Sequence, residues 1–156
     1  QQSNSRFVPV LMISGDDEEN AKVTTLEVGA DDYVVKPLNP RELVARVNAV
    51  LRRVTSGEDG VDGKLSYEGL DIDLKSHRVL YRQDEVYLTL TEFKILVELV
   101  KEQGRVLSRD ILRKRALGNL NVTDRTIDVH MASLRKKITL CADSIKTIRG
   151  VGYRFA

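Results

Sequence analysis

The 156-residue sequence predicts two joined folds: an incomplete parallel α/β unit over residues 1–53 and an α+β domain over residues 64–156. Three observations predict this. Before residue 54, apolar runs alternate with helical patterns, as in parallel strands joined by helices. Residues 54–63, Val54-Thr55-Ser56-Gly57-Glu58-Asp59-Gly60-Val61-Asp62-Gly63, combine glycine, serine and acidic residues without apolar period, so they read as a linker. Beyond them, short β-rich runs give way to three helical patterns and a closing pair of strands.

In the first unit, Val8 to Ile13 is a continuous apolar run, the pattern of a strand buried on both faces. Ser14-Gly15-Asp16-Asp17 breaks it, and a helix follows to about Val28, closed by Gly29. Tyr33-Val34-Val35 is a second short strand, ended by Lys36-Pro37. Asn39 is placed to cap a helix whose first residue is Pro40. Leu43, Val47, Val50 and Leu51 recur at helical spacing, with Arg46, Arg52 and Arg53 off that stripe. Two parallel strands and two helices do not bury both faces of a sheet, so further structure is expected before residue 1.

In the second unit, strands are expected near Leu65–Tyr67, Leu70–Asp73, Arg78–Tyr81 and Glu85–Tyr87, in a meander. Thr89-Leu90-Thr91-Glu92 is a capping box that opens a helix burying Phe93, Leu96, Val97 and Val100, with Gly104 at its end. Ser108 caps a second helix to about Leu117. Thr123 caps a third, reaching about Ile138. Ile145–Ile148 and Tyr153–Phe155 then flank Arg149-Gly150-Val151-Gly152, a hairpin tip. Three helices followed by a hairpin describe a winged helix-turn-helix.

Composition narrows the function classes. Hydrophobic residues make up 42% and charged ones 31%, enough for a core and against global disorder. No apolar run approaches the ~20 residues of a membrane-spanning helix. Gln1 to Ser5 lack a basic patch followed by an apolar stretch, so no secretory signal is expected. The single cysteine, Cys141, excludes an intrachain disulfide and a multi-cysteine zinc site, and suits a reducing cytoplasm. Residues 105–156 hold 12 Lys/Arg against 4 Asp/Glu, net +8, whereas residues 1–60 are net −3. Basic charge gathered in one segment points to a polyanionic partner or to a solvated cationic surface.

The third helix sharpens that choice. At ~100° per residue, Ile127, Met131, Leu134 and Ile138 fall on one stripe, the core side. Arg125, Val129, Ala132 and Lys136 fall opposite, with Ser133 and Arg135 flanking them. His130 lies nearer the core boundary. Long cations around small or apolar residues suit a major-groove reader, because cations reach phosphates and guanine edges while small residues allow close approach. A solvated face of an ordinary amphipathic helix has the same composition. No second His, Cys or carboxylate cluster stands at ligand spacing around His130, so no metal site is expected.

Taken in order, several segments resemble one family. Leu88-Thr89-Leu90-Thr91-Glu92-Phe93, Val106-Leu107-Ser108-Arg109, the run from Thr123 to Lys137, and Ile148 to Phe155 are similar to the effector domain of OmpR/PhoB-type response regulators. Val8 to Ser14, Gly29-Ala30-Asp31-Asp32-Tyr33, Lys36-Pro37 and Glu42 to Arg46 resemble the last part of a receiver domain. The fold is thereby expected to be a receiver remnant, a partial parallel doubly wound sheet, joined to a winged helix-turn-helix.

The resemblance implies roles. Ser14 matches the hydroxyl that bonds the phosphoryl group, Lys36 the cation that pairs with it, and Tyr33 the switching aromatic. Lys36-Pro37 matches a cis peptide. The phosphoacceptor and the Mg²⁺-binding acidic pair belong to earlier strands, so no phosphoacceptor is expected in this chain, and Mg²⁺ only with the missing half. Asp16, Asp17, Glu18 and Glu19 read instead as charges at a helix N-terminus. Lys22, Asp32, Glu42 and Arg46 match the ion pairs of a receiver homodimer. Arg125, His130, Arg135, Lys136, Thr147, Arg149 and Tyr153 match positions that touch DNA, and Thr126, Val129 and Ser133 complete the expected DNA-binding set. Leu117–Val122 resembles a segment that contacts RNA polymerase.

The expected function is a cytoplasmic DNA-binding regulator of transcription in a two-component phosphorelay. A sensor histidine kinase is its expected partner when full-length, and a receiver homodimer would set it on tandem half-sites. An enzyme is not expected, since no GxSxG, HExxH or GxxxxGK[ST] motif is present. The alternative is a winged-helix module that binds a protein and no DNA, and salt dependence separates the two.

Overall fold

The computed structural model describes residues 8–55, 63–118 and 123–156. Leu11–Ser14 (β1) and Asp32–Val35 (β2) pair in parallel, Leu11 against Asp32 through Ser14 against Val35. Glu19–Glu27 (α1) makes the crossover, and Pro40–Thr55 (α2) follows. Asn39 caps α2 as its position suggests, its Oδ1 accepting from the Arg41 amide at 2.9 Å.

Two expectations for this half need correction. β1 is not buried on both faces: Met12 is 40% exposed and Ile13 37%. Among the described residues β2 alone pairs with it, so its side chains lack neighbours on the far side. The stripe on α2 is likewise half covered, with Val50 at 3% exposure and Leu51 at 49%. α2 also runs two residues into the expected linker, of which residues 56–62 lie outside the described residues.

Lys64–Tyr67 (β3), Leu70–Asp73 (β4), Arg78–Tyr81 (β5) and Asp84–Val86 (β6) form the expected antiparallel meander in sequence order. Leu90–Lys101 (α3) starts from a complete capping box: Thr89 Oγ1 accepts from the Glu92 amide at 3.3 Å, and Glu92 Oε2 accepts from the Thr89 amide at 2.8 Å. Val106–Ser108 (β7) is a strand the sequence reading did not foresee. Arg109–Leu112 (α4) begins on a Ser108 cap, its Oγ accepting from the Ile111 amide, and continues as a π-helical turn over Arg113–Leu117. Asp124–Lys137 (α5) follows Thr123, whose side chain makes no capping bond, contrary to expectation. A 3₁₀ turn over Thr139–Ser144 leads into Ile145–Ile148 (β8), and Gly152–Phe155 (β9) closes the chain's last sheet in the order β7-β9-β8.

One core holds this second unit together. Phe93, Leu96, Leu112, Met131, Leu134 and Phe155 are each at most 2% exposed. The core stripe expected on α5 is buried, from Ile127 at 0% to Ile138 at 2%. β7 joins the sheet because Gly152 has no side chain: a Cβ there would stand 2.0 Å from the Leu107 carbonyl oxygen.

Candidate nucleic-acid interface

α5 is fixed to the rest of the unit through one buried carboxylate. Glu92 is 1% exposed; Ser133 Oγ donates to its Oε1 at 2.6 Å and Lys137 Nζ to its Oε2 at 2.7 Å. The capping residue of α3 therefore sets where α5 lies.

The hairpin is tied to α5 at two points. Arg135 Nη2 donates to the Ile145 carbonyl at 2.7 Å and to Thr147 Oγ1 at 2.8 Å. Tyr153 OH donates to Asp128 Oδ1 at 2.7 Å, and Arg109 Nε donates to the same oxygen at 2.6 Å. The guanidinium carbons of Arg109 and Arg135 lie 5.1 and 5.4 Å from the Tyr153 ring centroid, within cation–π range. Burial, with the Asp128 carboxylate beside it, pushes the Tyr153 hydroxyl up to about 12. The hydrogen bond to Asp128 likewise raises the Arg109 guanidinium above its usual value.

The expected DNA-binding residues are not placed alike. Arg125, Lys136, Thr147 and Arg149 are exposed. Ser133 and Arg135 are half-buried and spent on the contacts above. His130 is 1% exposed and Tyr153 4%, so both belong to the interior. His130 lies within one helical step of Met131, and the buried stripe of α5 is wider than its four strongest apolar positions. Thr126 and Val129 are each 8% exposed, although Val129 falls on the outer face.

Val129 is covered from outside its own domain. α1 packs against α5. Arg125 Nη1 pairs with Glu19 Oε1 at 2.7 Å. A cavity of about 370 Å³ lies between the two units, with Lys22, Asp32 and Arg46 on one wall and Arg125, Thr126 and Val129 on the other. Beneath it, Thr91 Oγ1 donates to Asp31 Oδ1 at 3.0 Å, both residues being buried.

The four expected dimer residues pair within the chain. Arg46 binds Asp32 and Glu42, each at 3.0 Å, and Lys22 binds Asp17. Ser14 and Lys36 meet at the C-terminal ends of β1 and β2, where the Lys36 amide donates to the Ser14 carbonyl at 2.7 Å. Ser14 Oγ accepts from the Asp16 amide, Tyr33 OH donates to the Asp16 carbonyl at 2.6 Å, and Lys36-Pro37 is cis. The residues here do not fit Mg²⁺: among the described residues no three His, Cys, Asp or Glu side chains converge to hold a metal. Of the loop Leu117–Val122, residues 119–122 lie outside the described residues.

Sequence reading missed Asp31, Thr91, Asp128 and Arg109 as positioning groups. Their partners stand 60 and 19 residues away, so no local pattern marks them. Glu92 was visible as a cap, and its second task was not.

Comparison with known proteins bears on both halves. Residues 1–48 match the response regulator receiver domain, and residues 83–155 match the transcriptional regulatory protein C-terminal family. The phosphate regulon transcriptional regulatory protein PhoB of Escherichia coli K12 is 40% identical over 159 residues, covering 100% of this chain and 69% of that protein. The response regulator DrrB, described as a Thermotoga maritima OmpR/PhoB homolog, is 32% identical, with a TM-score of 0.56 over 96% of this chain and 67% of its own. The RstA DNA-binding domain of Klebsiella pneumoniae, solved in complex with RstA box, is 35% identical, with a TM-score of 0.54 over 60% of this chain and 96% of its own.

Proposed function

The chain belongs to the OmpR/PhoB family of response regulators, and we propose that it regulates transcription by binding double-stranded DNA through α5 and the β8–β9 wing. The observation that carries this reading is the tethering of α5 and the wing into one unit by Glu92, Arg135 and Asp128, with Arg125, Lys136 and Arg149 left exposed upon it. α5 would enter the major groove, with Ala132 allowing close approach to base edges. Arg149, at the wing tip, would reach a phosphate or the minor groove. Ser133, His130 and Tyr153 serve the reading by positioning α5 and the wing.

The receiver-like half supplies the regulation. Residues 1–53 form its division, 54–63 the connection and 64–156 the effector. The α1, β2 and α2 face, with Lys22, Asp32, Glu42 and Arg46, is the proposed homodimer surface, which sets two effector domains on tandem half-sites at raised effective concentration. The exposed members of these pairs contribute little energy each, so their role is orientation. A sensor histidine kinase and RNA polymerase are the proposed protein partners, in the cytoplasm. No catalytic activity is assigned: the relatives matched are regulators of transcription.

The test is affinity for a fluorescein-labelled 30-base-pair mixed-sequence duplex at increasing salt. Log affinity is expected to fall linearly with log salt, at about 0.9 per phosphate neutralised. Arg149→Ala is expected to weaken binding and reduce that slope by about 1. A flat salt response would favour a protein-binding module instead.

A further inference from the structure

The cavity between the two units has the lining of a small-molecule site. At about 370 Å³ it falls within the roughly 300–1,000 Å³ of such pockets. Val23, Leu26, Val34 and Val129 give it apolar surface from α1, β2 and α5. Lys22, Arg46 and Arg125 line it as cations, and Glu19, Asp32 and Glu42 as anions, so its charges balance. Apolar walls with a few charged groups can seat the body of a small molecule and fix its polar ends.

Those charges are not equally committed. Arg46 is saturated: Nε and Nη2 each reach Glu42 Oε1 at 3.0 Å, and Nη1 reaches the two Asp32 oxygens at 3.2 and 3.0 Å. Asp32 also accepts from the Tyr33 amide at 2.9 Å and is buried, so it belongs to the wall. Lys22 is bound to Asp17. Arg125 differs, since its partner Glu19 and Arg125 itself are both exposed, and such a pair is weakly held in water. Its guanidinium can exchange Glu19 for a carboxylate carried by a ligand, meeting it with two parallel N–H donors. Glu42 takes both Arg46 contacts on Oε1, which leaves Oε2 to accept from an ammonium. Glu19, once released from Arg125, is a second acceptor.

Charge balance selects the ligand class. A monoanion would pair Arg125 and leave Glu19 stripped of its partner. A monocation would meet the carboxylates and bring nothing to Arg125. A molecule with both charges meets both and adds no net charge to a balanced lining, while its apolar part removes Val23 and Val129 from water.

We propose that this cavity binds a small amphipathic zwitterion of the apolar α-amino acid class. Its carboxylate pairs with Arg125, its ammonium with Glu42 and Glu19, and its apolar side chain lies among Val23, Leu26, Val34 and Val129. Bound there, it occupies Arg125 and Val129, so ligand and DNA exclude each other. The site stands on the cavity, and only this last consequence rests on the DNA-binding reading.

The experiment uses the full chain and probes that share one branched body: leucine, 3-methylbutylamine, which lacks the carboxylate, and 4-methylpentanoate, which lacks the ammonium. Amide chemical shifts of the ¹⁵N-labelled protein read binding at constant ionic strength. Leucine is expected to shift amides of α1, β2 and α5, with a dissociation constant on the order of 1 mM or tighter, as a ligand of its size allows. Each analogue is expected to bind at least about tenfold more weakly. Val23→Phe fills the cavity from α1 and is expected to abolish the leucine shifts. Glu42→Gln keeps the side chain's size and is expected to weaken leucine about tenfold while leaving 4-methylpentanoate unchanged. No leucine shifts in wild type, or shifts that persist unchanged in both variants, overturn the site. An analogue that binds as tightly as leucine overturns the zwitterion. Anisotropy with the labelled 30-base-pair duplex then reads the consequence: leucine at about ten times its dissociation constant is expected to weaken duplex binding about tenfold. Duplex affinity that leucine leaves unchanged overturns the exclusion. Failure of wild type to bind the duplex at all overturns the DNA-binding reading, and the leucine shifts, read without DNA, still support the site.

Discussion

β1 and β9 are each four residues long and each carries a large apolar side chain, yet Ile13 on β1 is 37% exposed and Phe155 on β9 is 0% exposed. The difference lies in what surrounds each strand. β9 is the centre of its sheet, with β7 and β8 at its edges and α3 packed against it. β1 has β2 on one edge among the described residues. Apolar content therefore states what a strand requires, and its neighbours decide whether the requirement is met.

The sharpest way to break this comparison is at the centre of the well-packed sheet. Gly152→Ala places a Cβ 2.0 Å from the Leu107 carbonyl oxygen and 2.8 Å from Ser108 Cα, atoms of backbone that cannot rotate aside. β7 must leave β9, and the wing loses one flank. The expected cost in urea unfolding is roughly 4 kcal/mol or more. A loss under about 1 kcal/mol would show that β7 moves freely and that the sheet does not need it.

Next come two truncations that differ only in setting. Phe155→Ala empties a site touched by Tyr67, whose ring meets it edge-on at 4.9 Å between centroids, and is expected to cost about 3–5 kcal/mol. Ile13→Ala removes a side chain that is already partly in water, and is expected to cost less than about 1 kcal/mol in the same unfolding measurement. Equal losses would mean that β1 is buried in solution by something that these contacts do not include.

A smaller effect probes the tether rather than the core. Glu92→Ala removes the reciprocal half of the capping box and leaves Ser133 and Lys137 without their shared acceptor. We expect a loss of about 2–3 kcal/mol, with helix content retained by circular dichroism. A companion variant, Ser133→Ala, loses one neutral donor and is expected to cost about 1 kcal/mol. If the two variants cost the same, Glu92 acts through the cap alone and does not set the position of α5.

Most of the fold was legible in the sequence, and the reasons are local. Thr89-x-x-Glu92 announces α3, Asn39-Pro40 announces α2, and the alternation from Leu70 to Tyr81 gives two strands to the residue. β7 was not legible, because three residues carry too little pattern and its partner β9 lies 46 residues on, at Leu107 against Tyr153. The family resemblance brought the candidate interface into view, while the periodicity of α5 alone left a solvated face equally open. Neither revealed that Val129 on the outer face would be covered, since the covering helix, α1, is about a hundred residues away and polar at most of its positions. Arg135 and Tyr153 are chemically suited to phosphate contact, and no pattern along the chain records that each already has a partner inside the domain.

The smallest effect concerns that last pair of residues and separates structural from exposed tyrosines. The Tyr153 hydroxyl ionises near 12 in the folded chain, against ~10 for an unfolded tyrosine, because burial and the Asp128 carboxylate both disfavour the phenolate. Its pKa is raised on folding, so its contribution is fully present below pH ~10 and is lost as pH climbs from there through about 12. Tyr153→Phe removes the titration with the hydroxyl. At pH 8 the variant is expected to be less stable than wild type by roughly 0.5–1.5 kcal/mol, the net worth of one hydrogen bond. Arg109 still meets Asp128 at 2.6 Å, which keeps the loss at that modest level. As pH rises toward 12 the gap between the two proteins should close, because only wild type resists ionisation in the fold. A gap that stays constant across that window would mean that the hydroxyl is hydrated in solution, and that Asp128 holds α5 to Arg109 and α4 rather than to the wing.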